Sequence, residues 1–247
     1  MKADPAAQLR LLDLQELDSA LARLAHRRRT LPELAEIARL EEAANKLRDT
    51  VVAAETEVSD LEREQRKAEN DVEQVRIRAR RDQERLDSGR ITSPKELSNL
   101  QSEIGSLGRR QNDLEDVVLE IMERRETAES QRVELAGQRD TTNAELDEAR
   151  TRRDAAFAEI DNDAAGTGKR RAEVAADIPG DLLALYDKLR DQFGGVGAAA
   201  LHRGRCEGCK LALSTVELNR LRGAAEDEVL RCEECRRILV RTPDSGL

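Results

Sequence analysis

From Ile37 to Leu86 the apolar positions step by three and four residues without a slip: Ile37, Leu40, Ala44, Leu47, Val51, Ala54, Val58, Leu61, Gln65, Ala68, Val72, Val75, Ala79, Asp82 and Leu86. A hydrophobic repeat of about 3.5 residues held for this long requires a left-handed supercoil with at least one further helix. Composition supports a narrow seam rather than a broad core. Charged residues make up 38% of the 247-residue chain and aromatics 1%, namely Phe157, Tyr186 and Phe193. Without large aromatic side chains the apolar surface is thinly spread, which argues against a TIM barrel, a doubly wound sheet and a β-sandwich.

The partner helix is expected from the same chain. The repeat stops at DSGRITSPKE, where Gly89 can turn the backbone and Ser93, Pro94 and Glu96 stand at the N-cap, N1 and N3 of a new helix. A second series follows: Leu97, Leu100, Ile104, Leu107, Gln111, Leu114, Val118, Ile121, Arg125, Ala128, Arg132, Leu135, Arg139, Thr142, Leu146, Ala149, Arg153, Ala156 and Ile160. A short turn, at 88–96, makes the two series antiparallel neighbours. Centring it near residues 91 and 92 puts Val72 opposite Gln111 and Gln65 opposite Val118. Arg125, Arg132 and Arg139 recur at one seam position, where their stems cover apolar surface and their heads turn outward. This middle stretch is expected to be the loosest of the hairpin, or the place where a third helix or a partner docks.

An earlier seam, Leu14, Leu17, Leu21 and Leu24, is out of phase with the one that begins at Ile37. The break falls at HRRRTLPE, near 29–32, where Thr30, Pro32 and Glu33 have the pattern of another capping box. The reading is a first helix over about 7–28, a second over about 31–87, and a rod of roughly 80 to 110 Å at about 1.5 Å per residue. Residues 164–171, AAGTGKRR, only partly match a phosphate-binding loop: Asp163 stands where that motif needs glycine, and Arg170 where it needs Ser or Thr. The two glycines read as a weak point in the helix. Beyond DIPGD, Leu182, Leu185, Tyr186 and Leu189 share one face of a short helix ended by Gly194 and Gly195.

Cysteine carries the sharp chemical signal. Cys206 and Cys209 form CEGC, Cys232 and Cys235 form CEEC, and 22 residues separate the pairs. The two-residue spacer lets both sulfurs of a knuckle point inward, so two knuckles can enclose one tetrahedral ion. One structural zinc per chain is the expectation, with iron or an Fe–S centre as the rival occupant. Four protein ligands leave no open position for water, so the metal holds structure and activates no nucleophile. VGAAALHR reads as a strand into the first knuckle, Ser214 and Glu217 cap a short helix, and VLR and ILVR flank the second knuckle as strands. His202, four residues before Cys206, reads as a surface or outer residue. The expected fold is therefore mostly α: a long antiparallel coiled-coil hairpin over 1–178, followed over 179–247 by a short helix and a small C-terminal C4 zinc ribbon.

The turn SPKELSNLQSEI, the stretch from IPGDLLALYDKLR to the glycine pair, and the ending CEGC to CEECRRIL together resemble the bacterial C4-type zinc ribbon proteins built on an N-terminal coiled-coil hairpin, among them flagellar-associated chaperones. The resemblance implies metal-dependent folding, binding of nucleic acid or protein, and no catalytic site. Cys206, Cys209, Cys232 and Cys235 correspond to its metal ligands. Similar proteins have glycine after the last cysteine; Arg236 stands there, so a strained knuckle is expected.

The net charge of −9 belongs to the long first part, for residues 196–247 hold 9 Lys+Arg and 8 Asp+Glu. Residues 76–95 invert that sign locally, with Arg76, Arg78, Arg80, Arg81, Arg85, Arg90 and Lys95 against Asp82, Glu84 and Asp87. Arg203, Arg205 and Lys210 cluster near the first knuckle, and Arg236 and Arg237 follow the second. Candidate nucleic-acid contacts are thus Arg78, Arg80, Arg81, Arg85, Arg203, Arg205, Lys210, Arg236 and Arg237, for weak, salt-sensitive binding that is insensitive to sequence because no aromatic residue stands among them. The functional expectation is a cytoplasmic, non-catalytic adaptor or chaperone-like protein with a protein partner, no membrane and no small-molecule substrate. The alternatives are a structural rod in an oligomeric assembly and a zinc-dependent enzyme, the latter lacking any nucleophile and base pair.

Overall fold

The computed structural model describes all 247 residues. Three helices make up the N-terminal portion: α1 (Pro5–Arg29), α2 (Pro32–Asp87) and α3 (Pro94–Ala176). A short helix, α4 (Gly180–Gln192), leads to strands β1 (Ala198–His202) and β2 (Arg205–Cys206), helix α5 (Thr215–Gly223), and strands β3 (Leu230–Arg231) and β4 (Ile238–Val240). The chain divides into two compact units, one of Ala35–Arg150 and one of Met1–Leu34 with Thr151–Leu247. The expected boundary between 178 and 179 falls inside a single core, because Ile178 and Leu182 pack together with Leu11, Leu14, Tyr186, Ala198, Ile238 and Val240.

In the Ala35–Arg150 unit the heptad reading holds residue by residue. Every seam position of α2 is buried or half-buried, Gln65 and Asp82 included, and so is every seam position of α3 in this unit except Leu97. The helices run antiparallel, with Glu41 pairing with Arg150 at 2.8 Å and Arg76 with Glu115 at 2.6 Å. Ile37, Leu40, Leu146 and Ala149 form one packed layer. The turn lies where DSGRITSPKE placed it, with Gly89 at φ +65°, a conformation that side chains with a Cβ resist. The register differs from the expectation: Val72 lines a groove with Val118, not Gln111. Gln65 and Gln111 turn along their own helices, donating to Glu69 at 2.6 Å and to Glu115 at 2.8 Å. The seam arginines behave as expected, Arg132 reaching Glu129 at 2.7 Å and Arg139 reaching Asp140 at 2.7 Å.

One local expectation in the other unit is corrected. Thr30 does not cap α2; its Oγ1 donates to the His26 carbonyl at 3.0 Å and its N–H also turns back to α1. The hydroxyl serves the nearer unsatisfied carbonyls, those of the helix just ended. Gly166 and Gly168 lie within α3, which continues to Ala176, since a cost of roughly 1 kcal/mol per glycine weakens a long packed helix without ending it.

A buried polar network ties α1 to α4 and the strands. Gln15 Oε1 accepts from the backbone N–H of Gly197 at 2.7 Å, and its Nε2 donates to the Gly195 carbonyl at 2.9 Å. Asp18 accepts from Arg171 Nε at 2.7 Å, Tyr186 OH at 2.8 Å and Arg190 at 3.1 Å. Burial opposes the charge on Asp18, yet these three donors hold its carboxyl below the usual carboxylate range. The four-stranded sheet has the order β2-β1-β4-β3, with β1 and β4 parallel and the outer pairs antiparallel. The chain's start completes this edge, Ala3 N–H donating to Asp227 O at 2.7 Å and Val229 N–H to Met1 O at 3.1 Å.

Candidate metal centre

Two similar turns carry the cysteines. In the first, Cys206 N–H donates to Leu211 O at 3.0 Å and Lys210 N–H to Cys206 O at 2.7 Å; in the second, Cys232 N–H donates to Arg237 O at 3.1 Å and Arg236 N–H to Cys232 O at 2.9 Å. Both turns close through a residue in the left-handed region, Lys210 and Arg236 each at φ 63°. The strain at Arg236 is the one its departure from the resembling proteins' glycine implies. Lys210 carries the same strain at the equivalent position after CEGC, where the resemblance gives no expectation.

The four sulfurs lie within 4.8 Å of one another. Across the knuckles, Cys206 Sγ is 3.8 Å from Cys235 Sγ, and Cys209 Sγ is 3.9 Å from Cys232 Sγ. A tetrahedron with metal–sulfur bonds of about 2.3 Å has edges of about 3.8 Å, so the cage has the dimensions of a four-thiolate zinc site. Burial pushes the Cys206 thiol up to about 12 and raises that of Cys232. Ionised sulfur at these positions needs a cation to offset its lost hydration. The donor set and its spacing thus fit one structural zinc ion per chain.

Arg237 braces the cage. Its guanidinium donates to the carbonyls of Val196 at 3.0 Å, Gly208 at 3.3 Å and Phe193 at 2.9 Å, and it lies over the Phe193 ring. Burial disfavours the Cys235 thiolate, but the Arg237 backbone and side chain draw its pKa down. Glu217, 3% exposed, does the parallel task for the second knuckle, its Oε1 accepting from Glu233 N–H at 3.1 Å. Ser214 Oγ accepts from Glu217 N–H at 3.1 Å, so the expected capping box is half made. By sequence Arg237 is a candidate phosphate ligand and Glu217 a cap; tertiary placement brings them to the carbonyls and the N–H they serve.

Arg78 is engaged by Glu103, while Arg80, Arg81 and Arg85 are exposed. Arg78, Arg81 and Arg85 share a helix face by their spacing, and Arg80 points elsewhere. Arg203 forms the β1–β2 turn with Gly204, at φ 46° and 72°. Arg205 donates to the Lys210 carbonyl at 2.9 Å, Lys210 pairs with Glu207, and Arg236 accepts through its carbonyl from Arg231 at 2.8 Å. His202 is half-buried and outside the sulfur cluster. No helix is long and apolar enough to cross a membrane.

The profile of the CT398-like coiled coil hairpin domain matches residues 14–194, and that of a C4-type zinc ribbon domain matches residues 205–239. Two uncharacterized proteins of Mycobacterium tuberculosis, MT2288 and Rv2229c, are each 40% identical over 72 residues, a match spanning 29% of this chain and 29% of theirs. A solved Mycobacterium smegmatis structure superposes with a TM-score of 0.86 at 36% identity, covering 98% of this chain and 100% of that one. CT398 from Chlamydia trachomatis (TM-score 0.68, 20% identity, 96% and 98% covered) and HP0958 from Helicobacter pylori (0.51, 14%, 97% and 98%) share the fold. With the hairpin profile over well more than half its length and the sulfur cage in its ribbon, this chain belongs to the CT398-like coiled coil hairpin family and ends in a C4-type zinc ribbon.

Proposed function

We propose that this protein is a non-catalytic, zinc-stabilised adaptor that holds a protein partner on its hairpin and ribbon. The observation that carries this reading is large apolar side chains left in solvent on elements that are otherwise well packed. In the ribbon Val216 is 80% exposed and Leu211 51%; on the hairpin Leu119 is 57% exposed and Val133 55%. Isolated apolar residues are ordinary on surfaces, but several on a charged coiled coil suit an interaction face. The cage supports the same reading, because four thiolates leave zinc no site for substrate or water. Photo-crosslinking residues placed at Val216, Leu211 and Val133 test it in cells. Discrete protein adducts are expected, and their absence at all three positions would overturn the adaptor.

A second reading, nucleic-acid binding, rests on Arg81 and Arg85, exposed on one face with Arg78. Such binding would be weak and would fall steeply with salt. Titration of labelled RNA and duplex DNA at low salt tests it. Unaltered binding after Arg81→Glu with Arg85→Glu would remove these residues from the reading.

A further inference from the structure

The seam of the Ala35–Arg150 unit opens on one side at Val58. Its heptad neighbours Val51, Ala54 and Leu61 are buried, whereas Val58 is only half-buried. On α3 the half-buried seam residue Arg125 lines the same groove as Val58, and the large apolar residues stand beside the seam: Leu119 is 57% exposed and Met122 40%. Val58, Leu119 and Met122 floor an open groove of about 600 Å³. Its rim is acidic. Glu62, Glu123, Glu126 and Glu129 line it against the single cation Arg125. Glu129 is engaged by Arg132 at 2.7 Å and Glu62 meets Arg66 only at 3.8 Å, while Glu123 and Glu126 enter no ion pair of the chain. Leu119 and Met122 are three residues apart and so adjoin on the helix surface as an apolar pair beside the seam.

An apolar patch from both helices beside their seam, where the seam itself turns to arginine, is a surface a third helix packs against. The rim selects the kind of helix, since its unpaired carboxylates favour cations and repel acids. We infer that this groove takes a basic amphipathic helix of a protein partner, with apolar side chains at i, i+3/i+4 spacing on Val58, Leu119 and Met122 and lysines or arginines over Glu123 and Glu126. The inference rests on the adaptor reading and names the site and chemistry of the partner.

The test uses the zinc-loaded full chain and three fluorescent peptides of about 18 residues, or five turns: an amphipathic Leu/Lys helix, a scramble of the same composition, and an amphipathic Leu/Glu helix. Saturable binding of the Leu/Lys helix is expected, with the scramble about tenfold weaker. Leu119→Glu with Met122→Glu should weaken binding by about tenfold or more, about 1.4 kcal/mol, while circular dichroism and the melting temperature stay near wild type because both sites are exposed. Glu123→Lys with Glu126→Lys should shift preference toward the Leu/Glu helix. Absence of binding, equal binding of the scramble, or an unaltered Leu119→Glu/Met122→Glu variant overturns the inference. So does sedimentation showing a dimer that this variant dissolves, for the occupant is then a second copy. Photo-crosslinks in cells separate this inference from the reading beneath it. Adducts at Leu119 competed by the Leu/Lys peptide support the groove; adducts at Val216, Leu211 or Val133 with none at Leu119 overturn the groove and leave the adaptor standing; adducts at none of the four overturn both.

Discussion

Single residues in this protein are held in conformations or contacts that their type alone resists. Lys210 and Arg236 sit at φ 63°, where a side chain with a Cβ costs about 1 kcal/mol over glycine. Arg236→Gly is therefore expected to stabilise the ribbon by about 0.5 kcal/mol after glycine's larger loss of chain entropy is deducted, seen as a higher chelator concentration at half-unfolding. Gly197 is the converse. A Cβ there would lie 2.6 Å from the Tyr186 carbonyl oxygen and 2.9 Å from its ring, so Gly197→Ala should destabilise by about 1–3 kcal/mol, measured as a lower thermal midpoint. Asp18 contributes a pH dependence with a definite sign. Its folded pKa lies below the unfolded value of about 3.9, so its stabilisation is fully present above the unfolded pKa and is lost as pH falls through the folded one. Asp18→Asn should lower stability at neutral pH by about 3 kcal/mol, since it takes from Arg171 and Arg190 their buried shared anion and leaves them the more exposed Asp187. Denaturant melts across acid pH should show a shallower acid limb in the variant; a parallel limb would refute the assignment.

Elements follow from pattern more reliably than from their ends. The heptad positions from Ile37 to Leu86 sort into buried and half-buried as read, because a long repeat averages over many side chains. The register between α2 and α3 did not follow, since it depends on the geometry of a few turn residues and a slip alters no single residue's pattern. Thr30 shows the same limit at a helix end, where one hydroxyl could serve either of two helices. Leu40, 2% exposed in the layer with Ile37, Leu146 and Ala149, has few neighbours to fill a void. Leu40→Ala is expected to cost about 2–3 kcal/mol, read as a lower melting point for the Ala35–Arg150 unit; an unchanged melt would mean the layer is not packed.

At the scale of the whole molecule, metal and core are coupled in one unit only. Ala198, Ile238 and Val240 share a core with Leu11, Leu14 and Leu182, while the strands that carry them flank the sulfur cage. Zinc removal by a chelator, or Cys232→Ser, should therefore expose amides across 198–240 and also loosen α1 and α4. The heptad helices of Ala35–Arg150 should keep their protection. Hydrogen exchange with metal analysis checks this: about one zinc per chain before chelation, and protection lost only in the unit of Met1–Leu34 with Thr151–Leu247. Protection retained in the ribbon without metal would refute a structural role for the cage.

The helices, their turn and the four metal ligands were determined by the sequence alone. Each rests on a local period or spacing: 3.5 residues for the seam, CxxC for the knuckles, Gly89 and Pro94 for the turn. Tertiary structure decided what no local pattern encodes. Arg237 became a brace because three carbonyls from distant segments converge on its guanidinium. Gln15 and Asp18 became the junction of α1 with α4 and β1 because partners roughly 150 to 180 residues away in sequence come within hydrogen-bond reach. The division into units differs from the linear boundary for the same reason, since α1 packs against the end of the chain and a heptad count cannot see that contact.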